Sequence, residues 1–351
     1  MSNRSVQTSG ALFGLAAAAL FGLSAPLAKL LLGAISPVLL AGLLYLGAAC
    51  GLWLHRLVRP KTAEAGLSRR DVPKLAVIVI SGGLLGPVLM LFGLQRVTAL
   101  AGSLLLNLEA PLTIVIAVLW FREHLGLRSA GAAALILGGA IALEMQPGAV
   151  GGDASGALLI GAACLCWAID NNLTQRLSLR DPFAIVRVKT LGAGLCNTVL
   201  GVATAGAELP AAGPVAAALV LGSLSYGVSV VLDAYALRLV GAAREAAYFA
   251  TAPFVGAVAS LLLHDEHLGG SGVLAMLAMA AGVVLLLGER HSHWHRHEPL
   301  EHEHLHEHDE HHRHEHSPAD PPGDPHSHVH RHRELAHEHL HLPDEHHRHR
   351  H

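Results

Sequence analysis

The residues with the clearest chemistry are histidines near the end of the chain. Twenty-three of the 27 follow residue 290 and alternate with Glu, Arg or Leu, as in "HEPLEHEHLHEHDEHHRHEH". Imidazole is the commonest protein ligand for Zn, Ni, Co and Cu ions, and the interleaved carboxylates add oxygen ligands. We therefore expect this tail to bind divalent metal ions. The candidate ligands are His302, His304, His306, His308, His311, His312, His314, His316, His326, His328, His330 and His332.

The tail has the composition of a segment without regular structure. Residues 291–351 hold 13 acidic and 6 basic side chains, few apolar ones, and the stretch "SPADPPGDP", a combination typical of disorder. Two other interpretations are open: a low-complexity extension without a role, and a pH sensor, since histidine titrates near pH ~6.5. Every such site follows the Irving–Williams order, so the sequence does not select the metal.

Polar residues inside otherwise apolar stretches form a second set of candidates. Such groups are costly in an apolar surrounding and are functional candidates by default. Proline removes a backbone hydrogen bond and can open a helix. Because removal from water disfavours a charged carboxylate, we expect Glu109 to take up and release a proton. The candidates for a substrate or coupling-ion site are Asn107, Glu109, Pro111, Asp170, Asn171, Asp233, Tyr248 and Pro253.

Structural roles compete with the functional ones for two of these residues. Asp170 and Asp233 lie near the ends of their apolar segments, where water or a basic loop can solvate them. Either carboxylate could therefore form a salt bridge with Arg176 or Arg238.

Ten long apolar segments carry these residues. A helix that crosses the ~30 Å hydrocarbon core needs roughly 20 apolar residues, and the chain is 52% hydrophobic and only 15% charged. Its abundant Gly and Ala are typical of membrane helices. We predict an all-α, polytopic protein in a lipid bilayer. Its spans 1–10 are predicted at 10–33, 37–54, 75–94, 98–121, 129–145, 154–173, 184–206, 214–237, 241–263 and 272–288.

No feature of the sequence indicates an enzyme or a nucleic-acid-binding protein. The four cysteines lie inside predicted spans and form no CxxC pair. The spans contain no nucleophile–base pair, and the chain has no Walker-type phosphate-binding loop. We therefore expect no required cofactor, only divalent metal ions (Ni, Zn, Co or Cu) at the tail.

The distribution of basic residues predicts the orientation. The loops after spans 2, 4, 6 and 8 carry nearly all of the Lys and Arg residues, whereas the loops on the other side carry only Arg96. Basic loops stay in the cytoplasm. The chain is therefore predicted to be a multi-pass protein of the cytoplasmic (inner) cell membrane, with both termini and the histidine tail in the cytoplasm.

The apolar body repeats itself. "EHLG" occurs at 123–126 and at 266–269, and each copy follows a span with a central proline. Because each half has five spans, the second half must insert upside down, as in many transporters with a site near the midplane. We divide the chain into a short cytoplasmic N-terminus (1–9), a first repeat (10–148), a second repeat (154–289) and the tail (290–351).

Two features at the other side of the membrane have simple interpretations. Lys29 is expected to extend its ammonium group toward the interface, and Glu266 to fix a turn. The stretch "HDEH" at 264–267 offers four potential metal ligands. The repeated motif already accounts for two of them, Glu266 and His267.

The chain resembles the EamA-type branch of the drug/metabolite transporter superfamily over residues 10–289. The resemblance rests on the ten-span layout and on the stretches 21–29 and 167–175 that open each half. It also rests on "LLLNLEAPLTIVIAVLWFREHL" and its counterpart "YFATAPFVGAVASLLLHDEHL", although Arg122 and Asp265 stand where the family usually has Gly. It implies a carrier of small solutes, often an exporter, that does not hydrolyse ATP.

Three functions remain in competition. The first is a secondary transporter of a small organic solute with a metal-binding tail. The second is an efflux system for a divalent metal ion, or a metal-linked solute, with the tail as collector or sensor. The third is a membrane-anchored metal buffer, for which ten spans are far more than is needed. Expected partners are the bilayer, a small-molecule or ion substrate and metal ions at the tail; a homodimer is compatible with the sequence.

Overall fold

A computed structural model describes most of the apolar body and four short segments of the tail. The described residues are 3–58, 66–121, 126–145, 153–177, 180–205, 210–240 and 242–287, followed by 292–297, 301–306, 326–331 and 335–340.

The body is a bundle of helices, which confirms the all-α, polytopic fold class. Span 1 is α1 (Asn3–Gly22) and α2 (Ser24–Leu31), span 2 is α3 (Pro37–Val58), span 3 is α4 (Val72–Ile78) and α5 (Gly86–Leu94), and span 4 is α6 (Ala99–Leu105) and α7 (Glu109–Phe121). Span 5 is α8 (Leu127–Glu144), span 6 is α9 (Ala154–Gln175), and span 7 is α10 (Pro182–Ala205). Span 8 is α11 (Ala212–Gly222) and α12 (Ser229–Val240), span 9 is α13 (Ala242–Phe249) and α14 (Ala252–Leu263), and span 10 is α15 (Gly270–Leu287).

The spans differ in length. Seven helical segments among the described residues are long and apolar enough to cross a membrane, and three shorter apolar helices complete the set at Leu127–Leu143, Ala252–Leu263 and Gly270–Leu286. Large apolar side chains such as Leu119, Trp120 and Leu262 lie on the outside of the bundle, as expected for a surface that faces lipid.

Five of the spans are interrupted. Span 1 breaks at Leu23, and the other four interruptions lie at corresponding places in the two halves. Spans 3 and 8 contain π-helical segments at Val79–Leu85 and Ser223–Val228. Span 4 tightens into a 3₁₀ turn at Leu106–Leu108, and span 9 breaks into α13 and α14 at residues 250–251. Both of the latter interruptions come just before a proline, Pro111 or Pro253, which has no N–H to continue the helical ladder.

The two halves of the body interleave. Span 2 packs along spans 7 and 8, span 3 along span 6, span 4 along spans 6 and 9, and span 5 along span 10. Glycines make the close approaches between backbones: a Cβ atom at Gly47 would overlap Leu219 O, and one at Gly222 would overlap Leu44 O. Small residues therefore hold the halves together, as is usual inside a bilayer.

The contacts define two ends of the bundle. At the proximal end, where α1 begins and α15 ends, Asp71 binds Arg180 at 3.1 Å and His55 Nε2 lies 3.0 Å from the Tyr235 hydroxyl. At the distal end, the loop between spans 3 and 4 (residues 95–98) meets the start of span 6 and the segment after span 9.

The described parts of the tail are extended strands, whereas the sequence predicts no regular structure there. β1 (Ser292–His297) pairs with β4 (Leu335–Leu340), and β2 (Glu301–His306) pairs with β3 (His326–Arg331), both antiparallel. Histidine alternates with another residue in these strands, so the histidine positions of each strand lie on one face.

Candidate functional site

A polar cluster lies inside the bundle, between spans 4, 6 and 7. The Asn171 amide donates to Glu109 Oε1 at 2.6 Å. Lys189 Nζ donates to Asp170 Oδ2 at 2.8 Å, and the Thr174 hydroxyl donates to Asp170 Oδ1 at 3.1 Å. The structure thus brings together three of the predicted site residues, Glu109, Asp170 and Asn171, with two further polar side chains. We call these five residues the central cluster.

The π-helical segment of span 3 forms the floor of the central cluster. A π-helical turn displaces the backbone from regular α-helical bonding, and Gly82 O in this turn accepts two side-chain donors. They are the Tyr45 hydroxyl at 2.9 Å and Trp167 Nε1 at 3.0 Å. Gly82 must be glycine, because a Cβ atom there would overlap the Asp170 carboxylate, and a Cβ at Gly86 would lie 2.7 Å from Trp167 Nε1.

The cluster combines opposite charges with a free acceptor. Asp170 is only 2% exposed, so the Lys189 ammonium and the Thr174 hydroxyl compensate its removal from water. Glu109 receives one amide hydrogen bond, from Asn171, and the Asn171 side chain is exposed. A carboxylate with a single neutral donor can still accept a proton or a positively charged group.

An aromatic group lies beside the cluster. Phe21 of span 1 contacts Tyr226 edge-on at 5.7 Å between ring centroids and Phe249 at 5.2 Å, and Tyr226 lies 5.8 Å from Tyr45. Tyr45 joins the two groups, because its hydroxyl binds the π-helical turn of span 3. An organic solute in this region would meet apolar ring faces on one side and charged groups on the other.

The remaining predicted residues lie apart from the central cluster. Asn107 is 5% exposed, and its amide donates to Leu104 O of its own helix at 3.0 Å. The Tyr248 ring packs against Gly14 of span 1. Pro111 is buried behind the 3₁₀ turn, and Pro253 opens α14. These residues shape spans 1, 4 and 9 and do not contribute to the cluster.

Asp233 lies in α12 of span 8, apart from the central cluster. Its Oδ1 atom is buried without a hydrogen-bond partner among the described residues. Asp170 binds Lys189, whereas its sequence position indicates Arg176 as the partner.

Lys189 belongs to the central cluster, although sequence analysis counts it among the basic residues of a loop region. It belongs to a group of basic residues that flank spans 6 and 7, and those residues predict the cytoplasmic face. In the structure it lies about a third of the way along α10, with its side chain 21% exposed. The signal that could have found it is its spacing from Pro182, two turns inside the helix.

The distal end is held by side chains bound to backbone groups. Both oxygens of Glu266 accept from the first N–H groups of span 4, Ala99 N at 2.8 Å and Leu100 N at 2.7 Å. Lys29 Nζ donates to Leu94 O at 2.6 Å and to Val97 O. The Lys29 ammonium group therefore binds carbonyls at the end of span 3 and in the loop that follows, at the distal end of the bundle.

Two residues of the "HDEH" stretch form contacts with other spans. His264 Nε2 lies 3.0 Å from Pro26 O, and both Glu266 oxygens accept backbone bonds. Within the described part of the chain, no group of three or more His, Cys, Asp or Glu side chains is arranged to hold a metal ion.

Half of the tail histidines proposed as metal ligands lie in described strands. His302, His304, His306, His326, His328 and His330 fall in β2 and β3, where the register pairs them as His302↔His330, His304↔His328 and His306↔His326. His308, His311, His312, His314, His316 and His332 lie outside the described residues.

The fold and the central cluster define a multi-pass membrane carrier built from two related halves. The EamA-like transporter family model matches the chain twice, at residues 8–145 and 154–288. An uncharacterized transporter of Methanothermobacter thermautotrophicus is 30% identical over 291 residues, which are 76% of this chain and 82% of that protein. A solved crystal structure superimposes with a TM-score of 0.60 at 19% identity, over 80% of this chain and 96% of the other. The chain belongs to the EamA-like transporter family.

Proposed function

We propose that the protein is a secondary exporter of a small organic solute, coupled to proton movement through Glu109. The observation that carries the proposal is the central cluster, which places a carboxylate with one neutral donor beside a compensated ion pair in the middle of an apolar bundle. Because an ionisable group inside a bilayer is costly, a cluster of this kind is retained when it binds or moves a charge. The basic loops favour a cytoplasmic proximal end, so export would run toward the distal end.

The substrate search precedes the test of coupling. A strain that lacks the gene and one that overproduces the chain are compared for growth on graded concentrations of small organic solutes and their toxic analogues. The solute that separates the two strains is then followed in reconstituted vesicles with an imposed pH gradient.

The test of coupling is Glu109→Gln. This variant keeps the size of the side chain and removes its ability to give up a proton, so we expect pH-driven solute flux to fall to the level of protein-free vesicles. Asp153→Asn is the matched control, since Asp153 is an exposed carboxylate before span 6 and should leave the flux unchanged. Wild-type flux and wild-type pH dependence in Glu109→Gln would contradict the proposal.

A metal-binding tail is the second part of the proposal. The register of β2 and β3 favours it, because three histidine positions of one strand stand directly opposite three of the other, on the same face. Directly opposite positions in an antiparallel pair are neighbours, so this register is compatible with shared metal ions.

The competing function is efflux of a divalent metal, and it is tested by removing the tail. Growth on graded Ni, Co, Zn and Cu is compared for the deletion strain, for the full-length chain and for a chain that ends at Glu289. If the metal is the cargo, both forms should restore resistance to some degree, and if the tail collects or senses it, only the full-length form should. No metal phenotype in any strain would leave organic-solute export as the function.

A further inference from the structure

The segment that follows span 9 ties the two halves together at the distal end. Glu266 accepts from Ala99 N and Leu100 N, and His264 Nε2 lies 3.0 Å from Pro26 O. These bonds run from the second half of the chain to spans 1 and 4 of the first half. We call His264 and Glu266, with their backbone partners, the distal latch.

The segment that carries the latch is built as a turn and not as part of a helix. α14 ends at Leu263, α15 begins at Gly270, and Asp265 between them has a φ of 52°. A left-handed conformation at a non-glycine residue is uncommon. It follows that the backbone here reverses direction sharply enough to present His264 and Glu266 to two different spans.

Beneath the latch the bundle is closed by small residues. A Cβ atom at Gly22 would overlap Ala252 O, and one at Gly256 would lie 2.6 Å from Gly22 O and 2.9 Å from the Ser103 hydroxyl. Spans 1 and 9 therefore meet backbone to backbone, and the Ser103 side chain of span 4 packs against Gly256 at the same contact. The Ser103 hydroxyl is buried in this contact without a partner among the described residues.

The bonds of the latch are of a kind that water can replace. The first N–H groups of a helix have no partner within that helix, so water can bind them when a side chain leaves. Loop 95–98 is also held from within its own half, because Lys29 binds Val97 O. It follows that Glu266 can leave span 4 without unfolding either partner.

We propose that the distal latch is the outer gate of the transporter: Glu266 holds spans 1, 4 and 9 closed over the central cluster, and its release from Ala99 and Leu100 opens that cluster to the distal side. This inference rests on the proposed function in one respect, that a solute must leave the cluster by the distal end. Its test requires no solute.

The test measures access to a single thiol. The four native cysteines are replaced by serine or alanine, Asn171→Cys places a thiol in the central cluster, and a membrane-impermeant maleimide is added in turn to each face of oriented vesicles. We expect slow labelling from the distal face. Glu266→Ala should raise that rate about tenfold or more, since one charge-assisted hydrogen bond corresponds to at least a factor of ten in an opening equilibrium.

Two further variants make the test specific. Glu266→Gln keeps the shape and one acceptor oxygen, and we expect an intermediate rate. Asp153→Asn removes a carboxylate at the same end that caps span 6 through Ser155 of its own half, so it should label as slowly as the parent. Each variant is checked for a monodisperse peak and an unchanged unfolding temperature.

The outcomes separate this inference from the proposed function. Unchanged distal labelling in a folded Glu266→Ala variant overturns the gate, whatever the Glu109→Gln experiment gives. A rise in the rate from the proximal face alone also overturns it. If the distal rate rises while Glu109→Gln transports normally, the gate stands and proton coupling through Glu109 fails.

Discussion

At the scale of single residues, Asp170 supplies the negative charge that Lys189 compensates in the central cluster. Its carboxylate is nearly inaccessible and has two donors, the ammonium of Lys189 and the hydroxyl of Thr174. Breaking a buried ion pair by removing one partner is far more destabilising than removing both, because the remaining charge stays buried without compensation. The two members of this pair therefore depend on each other for stability as well as for function.

This dependence gives a prediction for Lys189. Lys189→Met should lower the free energy of unfolding by about 3–5 kcal/mol, measured as thermal or denaturant unfolding of the purified protein in detergent. The double variant Lys189→Met/Asp170→Asn should recover most of that loss. Arg96→Met, which removes an exposed hydrogen bond to Ser155, is the control and should change stability by less than about 0.5 kcal/mol. A Lys189→Met variant as stable as the wild type would show that the pair contributes nothing.

Not every acidic residue is buried in this way. The hydroxyl and backbone N–H of Ser155 keep the pKa of Asp153 below its usual range, since both donors favour the ionised carboxylate. A lowered pKa stabilises the folded state above the unfolded value and loses that contribution as the pH falls through the folded value. Asp153 therefore stays charged at neutral pH, which makes it a suitable control carboxylate.

At the scale of elements, the π-helical turn of span 3 is the feature on which the cluster depends. It presents Gly82 O to Tyr45 and Trp167, and it brings span 3 against span 6 at the level of Asp170. A regular α-helix would use that carbonyl in its own ladder. The turn thus converts a backbone group into a binding partner for two aromatic side chains.

The prediction at this scale is Gly82→Ala. The new methyl group would collide with the Asp170 carboxylate, so we expect a loss of about 1–3 kcal/mol in the free energy of unfolding together with loss of solute flux. Gly138→Ala is matched to it, because nothing lies within 4 Å of a Cβ at Gly138, and alanine there should be neutral or slightly stabilising. Equal stability and flux in the two variants would contradict the role given to the turn.

The elements also separate what the sequence can predict from what it cannot. The spans follow from the length of apolar stretches, and Glu109 and Asp170 follow from the cost of a charge inside them. The π-helical turns cannot be predicted from hydropathy. In span 3, for example, the hydropathy pattern does not change at Val79, where the turn begins. The bond from Glu266 to Ala99 joins residues 167 positions apart, and no local pattern encodes it.

At the scale of the whole molecule, the two halves share their architecture but not their charges. Thr251 occupies the place of Glu109 relative to the paired prolines, and Ser24 occupies the place of Asp170 relative to the stretches that open each half. The ionisable groups of the central cluster are therefore confined to spans 4, 6 and 7. A symmetric scaffold thus carries an asymmetric site, whose ionisable groups come from span 4 of the first half and spans 6 and 7 of the second.

The bond between Trp167 and Gly82 has an optical consequence. Indole emission responds to hydrogen bonding and polarity, and Trp167 is one of only four tryptophans in the chain. With Trp53, Trp120 and Trp294 replaced by phenylalanine, the remaining signal reports whether the π-helical turn keeps its carbonyl or returns it to the helix. The protein therefore contains its own fluorophore beside the site. The binding of solutes can be followed from the tryptophan emission alone, without a label, a gradient or vesicles.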